Sequence, residues 1–126
     1  MLNQSEAAAT VAVRDLAVAT EFYGAKLGLQ LIDQNPGAVV YRAGSSRLVV
    51  YPSQFAGTNQ ATSVNWFVAD LDATVADLRS RGVTFEHYDL PDTTRDGDIH
   101  VFGDGALRGA WFTDPDGNIH GLGEGM

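Results

Sequence analysis

The chain has 126 residues, 44% of them hydrophobic, no cysteine, and a net charge of −8 from 8 Lys and Arg against 16 Asp and Glu. That length fits one compact domain with a real core, while the charge repels phosphate backbones and anionic lipid and argues against nucleic acid and membrane as partners. No apolar run approaches the roughly 20 residues needed to cross a bilayer, and a chain without thiols has no disulfide framework, thiolate nucleophile or Cys-based zinc site.

The opening MLNQSEAAAT lacks the basic start and apolar stretch of a secretory signal, so a cytoplasmic location is expected. Thr10 to Val13 is extended, and Asp15 offers its carboxylate to the free N–H groups of a helix that begins near Leu16. Ala19, Phe22, Tyr23 and Leu27 recur at helical spacing, and Gly28 is placed to end the helix in a left-handed turn. Three strands follow, Leu29 to Asp33, Ala38 to Arg42 and Arg47 to Tyr51, with Asn35-Pro36-Gly37 and Gly44-Ser45-Ser46 between them. Pro52 to Thr62 reads as a polar connector.

The same order then repeats. Val64 to Val68 is extended, Asp70 caps a helix carrying Leu71, Val75 and Leu78 on one face, and Gly82 terminates it. Val83 to Tyr88 is the next predicted strand, and an acidic loop containing Pro91, Asp92, Asp96 and Asp98 leads to Ile99–Phe102. Asp104-Gly105 turns the chain into Leu107 to Thr113, and Asp114-Pro115-Asp116-Gly117-Asn118 into a last strand from Ile119 to Leu122. The acidic loop and the Asp114–Asn118 turn lack the Gly and Glu positions of a calcium loop, and both read as solvated turns. Each copy alone is too small to bury a core, so the two must close on one another.

Val13-Arg14-Asp15-Leu16 and Val68-Ala69-Asp70-Leu71 each introduce one copy's helix. With the Phe22-Tyr23 and Leu27-Gly28 pairs and the Asp114–Asn118 turn, they make the chain similar to the vicinal oxygen chelate superfamily, which includes glyoxalase I, extradiol dioxygenases and the fosfomycin and bleomycin resistance proteins. The second half, with Arg81 to Glu86, Tyr88 to Pro91 and Ala110-Trp111-Phe112, resembles a glyoxalase-like branch. The resemblance implies an α+β fold of two tandem βαβββ modules that form a cup-shaped, mostly antiparallel sheet with helices outside. It would occupy residues 1–126 as a single domain, with module one at about 7–53, the linker at about 54–62 and module two at about 63–126. Relatives of this size commonly pair, so a homodimer is expected.

Metal-dependent members of that superfamily place His, Glu or Gln ligands on the first and last strand of each module. Counting back seven from the helix-capping aspartates, where such relatives have His, gives Ala8 and Ser63. The position of the terminal glutamate, three residues after Asn118, is Gly121, and the fourth ligand falls among Leu48, Val49, Val50 and Tyr51. Of these only Tyr51 could touch a metal. The expectation is therefore no metal and no cofactor, with the Lewis-acid chemistry of the superfamily absent.

Histidines occur only at 87, 100 and 120. Alternation sends His120 to the face opposite Gly121, away from the cup, where a surface or interface histidine is the expected reading. His87 and His100 can meet across neighbouring strands beside Asp89; a metal or acid–base pair is the sharper reading there and two unrelated strand residues the plainer one, which is adopted. No serine lies in a Gly-x-Ser-x-Gly elbow or beside an obvious base, and the glycines form no phosphate-binding fingerprint.

With residues 8 and 63 facing the cup, Thr10, Ala12, Asn65 and Phe67 face it too, and one of Trp111 and Phe112 joins them. Aromatics around small residues and an amide compose a pocket for a planar or apolar molecule, and the net charge favours a neutral or cationic one. Thr10, Tyr51, Asn65, Phe67, Trp111 and Phe112 are the candidate ligand-binding residues. Two functions compete: a small-molecule binder, for instance one that sequesters an antibiotic or binds a metabolite, and a metal-independent isomerase- or lyase-like enzyme using His100, Tyr88 or Tyr51 as acid or base. The first is preferred because no positioned polar constellation can be assembled, so no catalytic residue is named.

Overall fold

The computed structural model describes residues 1–125. After a short 3₁₀ turn at Leu2–Gln4, β1 (Ala9–Val13) leads to α1 (Leu16–Thr20), which runs straight into a π-helical turn, Glu21–Lys26. β2 (Gln30–Asn35), β3 (Ala38–Ala43) and β4 (Ser46–Pro52) complete the first half. The second holds β5 (Thr62–Phe67), α2 (Leu71–Ser80), β6 (Phe85–Glu86), β7 (Thr93–Asp96), β8 (Ile99–Phe102), β9 (Leu107–Thr113) and β10 (Ile119–Glu124).

The fold is α+β, with one sheet ordered β1-β4-β3-β2 and a second ordered β5-β10-β9-β8-β7, while β6 also pairs with β9. Two pairings are parallel, β1 with β4 and β5 with β10, and the rest antiparallel. The capping aspartates do what their positions promise: the Asp15 carboxylate accepts from the N–H groups of Ala17 and Val18, and that of Asp70 from Ala73. Gly28 and Gly82 end the helical segments with positive φ. No helix among the described residues is long and apolar enough to cross a membrane.

A single core joins the halves. Phe22 and Tyr23 from the π-helical turn, Val11 and Val13 from β1, Tyr41, Leu48 and Val50 from the first sheet, Phe112 and Leu122 from the second, and Leu71, Val75 and Leu78 from α2 form one buried cluster. The wider π turn, closed by Leu27 N–H donating to the Phe22 carbonyl at 2.9 Å, lets two consecutive aromatic residues both face inward.

Three local expectations are corrected. The strand predicted from Val83 to Tyr88 is reduced to Phe85–Glu86, because β9 shares one edge between β6 and β8. The acidic loop contains β7, whose Thr93 and Thr94 pair with Phe102 and Val101 of β8 across a turn at Gly97 (φ 61°). The polar connector is docked on the rest of the chain, with Ala56 fully buried and Gly57 lying against the Asp116 carbonyl at positive φ.

The Asp114–Asn118 turn is the third, since its two ends, Asp114 and Asn118, are buried while Pro115 and Gly117 at its tip stay exposed. Asp114 Oδ1 accepts from the N–H groups of Asp116 and Asn118, both at 2.9 Å, and Oδ2 accepts from the Tyr23 hydroxyl at 2.7 Å and Asn118 Nδ2 at 2.8 Å. Asn118 Nδ2 also donates to the Ala12 carbonyl at 2.7 Å, and Arg14 bonds the Asp116 carboxylate. The turn thus clasps β1 and the first helix from the second half.

Candidate functional site

Strand register decides which side chains share the face turned away from the helices. Thr10 stands opposite Val49, and Ala12 opposite Tyr51, in the first sheet. In the second, Asn65, Gly121 and Trp111 form one rung across three strands, and Phe67 lies opposite Gly123. Thr10, Tyr51, Asn65, Phe67 and Trp111 therefore occupy the open faces, whereas Phe112 points into the core, 1% exposed and stacked on His120 at 4.8 Å between ring centroids. The Trp111 ring lies along a lane of glycines: a Cβ on Gly121 would come within 3.2 Å of its Nε1, and one on Gly109 within 3.8 Å of its Cη2.

That lane also decides whether the superfamily's metal fits. A side chain at 121 would meet Asn65 Oδ1 at 2.6 Å and the indole nitrogen, so the spot from which a carboxylate ligand would project is filled by an amide and a ring. Ala8 has no donor, Leu48 and Val50 are buried on the helix side, and Ser63 Oγ takes a bond from Asn59 Nδ2. Among the described residues no three His, Asp or Glu side chains are placed to hold an ion. This donor set does not fit a divalent transition metal.

The six candidate residues do not line one cavity. Asn65 and Phe67 line a cleft of about 700 Å³, together with Gly28 to Gln30, Arg42 to Ser46, Trp66 and Val68. Behind it, sharing Leu29, Trp66 and Val68 as a wall, lies an apolar hollow of about 140 Å³ closed by Leu27, Thr74, Leu78, Phe112 and Leu122. Trp111 lines a shallower depression of about 250 Å³ with Thr62, Tyr88 and Leu90. Thr10 and Tyr51 lie on the open face of the first sheet outside these three.

The histidines divide by environment. His120 is fully buried beneath the helices, not at a surface or an interface. The Trp66 indole N–H, which can only donate, points at its Nδ1 at 3.1 Å, and its Nε2 lies 2.9 Å from the Tyr23 hydroxyl. Nδ1 must therefore be the bare nitrogen, and the proton sits on Nε2. The chain runs Trp66 N–H to His120, His120 N–H to Tyr23, Tyr23 O–H to Asp114. Burial pulls the His120 pKa down to about 4, and burial together with the Asp114 charge pushes the Tyr23 hydroxyl well above its ordinary range.

His100 is also fully buried, edge-on to Trp111 at 4.9 Å, with Nε2 accepting from the Tyr88 backbone N–H; burial lowers its pKa. His87 lies 6.5 Å from His100 between ring centroids and instead holds Asp98 at 2.7 Å, lowering that carboxyl's pKa with help from Arg79. The two imidazoles form no hydrogen-bonded pair with each other, and no acid–base couple is assembled around them.

The cleft residues missed by sequence reasoning are Gln30, Arg42 and Ser45. Arg42 occupies an outward position next to a recognisable Gly-Ser turn, but nothing local announces that this hairpin lies beside the end of β5. The Trp66–His120–Tyr23–Asp114 chain was equally hidden, since its members lie 43 or more positions apart except for Asp114 and His120.

Two mixed sheets, each with one parallel pairing of its first strand, make an α+β architecture of the glyoxalase-like class. The chain belongs to the Glyoxalase/Bleomycin resistance protein/Dioxygenase superfamily, whose sequence profile matches residues 7–120. No curated protein matches it in sequence. Among solved structures it is similar to a glyoxalase family protein from Enterococcus faecalis, with 20% identity, a TM-score of 0.73, and 98% of this chain and 100% of that one covered. It is also similar to a fosfomycin resistance protein from Listeria monocytogenes, with 13% identity, a TM-score of 0.72, and coverage of 98% and 94%. A lactoylglutathione lyase from Agrobacterium tumefaciens has 18% identity, a TM-score of 0.69, and coverage of 97% and 94%. At these identities the likeness is one of fold.

Proposed function

We propose that this chain is a metal-independent, cytoplasmic small-molecule binding protein acting as a homodimer, with its ligand held on the open faces by Asn65, Phe67 and their neighbours. One observation carries the reading: a cleft of about 700 Å³ opens beside Asn65 and Phe67, on a face whose metal positions hold Ala8, Ser63 and the filled site at Gly121. A preformed cleft walled by Trp66 and Phe67 and carrying Gln30, Arg42, Ser45 and Asn65 suits an organic ligand with apolar and polar parts, and catalysis would need a positioned acid or base that His100, fully buried and outside the cleft's lining, does not supply. Exposure of Phe67 (73%) and Tyr51 (38%) on these faces supports a second copy completing the enclosure.

A thermal-shift and native mass-spectrometry screen of aromatic metabolites and antibiotics, run with and without a chelator, tests it. Stoichiometric complexes that survive chelation, with the compound recovered unchanged, are expected. A hit that requires added zinc, nickel or iron, or that is converted to product, overturns the reading.

A further inference from the structure

The sign of the whole molecule and the sign of its cleft differ. Of the residues lining the 700 Å³ cleft, Arg42 is the one that carries a charge. Directly across the β3–β4 hairpin, in register with it and on the same face, stands Arg47. Both are exposed, and neither has a carboxylate within ion-pair distance among the described residues; Arg95 and Lys26 also lack one, whereas Arg14, Arg79, Arg81 and Arg108 each hold one. Like charges facing one another across two strands repel, and a chain with twice as many acids as bases could readily have supplied a partner. The hairpin instead keeps the Arg42 guanidinium on the cleft and that of Arg47 beside it, in an adjoining depression that shares Ser45 and Ser46 with the cleft and also includes Glu6.

The hollow that borders the cleft has the opposite character. The hollow behind Leu29, Trp66 and Val68 is walled by Leu27, Leu78, Phe112 and Leu122, and its volume of about 140 Å³ is close to that of cavities known to hold a benzene ring, about 150 Å³. Trp66 cannot turn its polar edge toward a ligand there, because its N–H is committed to His120.

We infer that the ligand is an organic carboxylate with an apolar, phenyl-sized end, its head between Arg42 and Arg47 and its ring against Trp66 in the hollow. Arginine forks match a carboxylate in two-point fashion. With a net charge of −8 opposing every added negative charge, a monoanion is favoured over a phosphate dianion. The neutral or cationic ligand expected from bulk charge is thereby replaced by one chosen by the local field. This rests on the binding reading above.

The test uses 4-phenylbutanoate, 4-phenylbutanol and 4-phenylbutylamine, titrated by calorimetry and by tryptophan fluorescence into the wild-type chain and the double variant Arg42→Ala/Arg47→Ala. The carboxylate should bind at least tenfold more tightly than the alcohol and the amine. The double variant should lose that tenfold advantage while binding the alcohol unchanged, with a thermal midpoint equal to or above wild type. If the alcohol or amine binds as well as the carboxylate, or the double variant holds the carboxylate as before, the carboxylate assignment fails and the binding reading stands. If none of the three binds, the use of this cleft fails as well, and only hits from the wider screen could sustain the binding reading.

Discussion

His120 shows how one buried side chain can set the response of the protein to acid. An ordinary histidine takes its proton near pH 6.5, and this one near 4. As pH falls, the unfolded chain is therefore protonated first, so stability is complete above about 6.5, declines below it and has lost this group's share by about 4. The share over the whole window is about 3 kcal/mol, and about 2 kcal/mol of it falls between pH 7 and 5. Protonation would also set a second donor against the Trp66 N–H. Urea unfolding at pH 7 and 5 should show the loss in wild type. His120→Gln, which can still accept from Trp66 and donate to Tyr23, should show a smaller one; what remains includes His100, which is displaced in the same direction. In the same network Tyr23→Phe leaves the Asp114 carboxylate and the His120 N–H each short of a partner, a cost of about 1–3 kcal/mol at pH 7 in the same assay. Strand parity sufficed to turn His120 away from Gly121. That a turn aspartate and a helix tyrosine would meet it could not be read, because the three residues come together only when both halves pack on one core.

At the scale of elements, the features set by neighbours in sequence were legible and those set by distant neighbours were not. Asp15, Gly28, Asp70 and Gly82 mark helix ends through local backbone chemistry, and each sits as expected. β7 was missed because four acidic residues around it mimic a loop, and its pairing with β8 outweighed that composition. The connector's polar composition likewise says nothing about the close approach at Gly57. A side chain there would run into the Asp116 carbonyl, at a φ of 72° that already disfavours any residue with a Cβ. Gly57→Ala should therefore lower stability by more than the 1–2 kcal/mol of the left-handed conformation alone, whereas Gly44→Ala, with open space around it, should cost about that amount and no more. Chemical denaturation of the two variants side by side measures the difference.

For the whole molecule, exposed aromatic surface and the ligand site belong to the same question. Phe67 projects from the end of β5 at the rim of the cleft, and Tyr51 from the face of the first sheet. If a second copy covers them, light scattering coupled to size exclusion at micromolar concentration should give twice the chain mass. Phe67→Asp, which sets a charge into the contact, should return a monomer with weakened ligand binding. The residues at the superfamily's metal positions could be named beforehand, because each is a single letter at a counted distance from a capping aspartate or a turn. The cleft could not, because its walls come from three separate stretches of chain. The clasp at Asp114–Asn118 has one more consequence. Since it fastens the late turn to Ala12, Arg14 and Tyr23 near the beginning, covalent continuity through the exposed stretch at Asn59 and Gln60 adds little to cohesion. A protease nick there would leave two fragments still gripping one another, so integrity judged by mass under denaturing conditions and integrity judged by shape would part company.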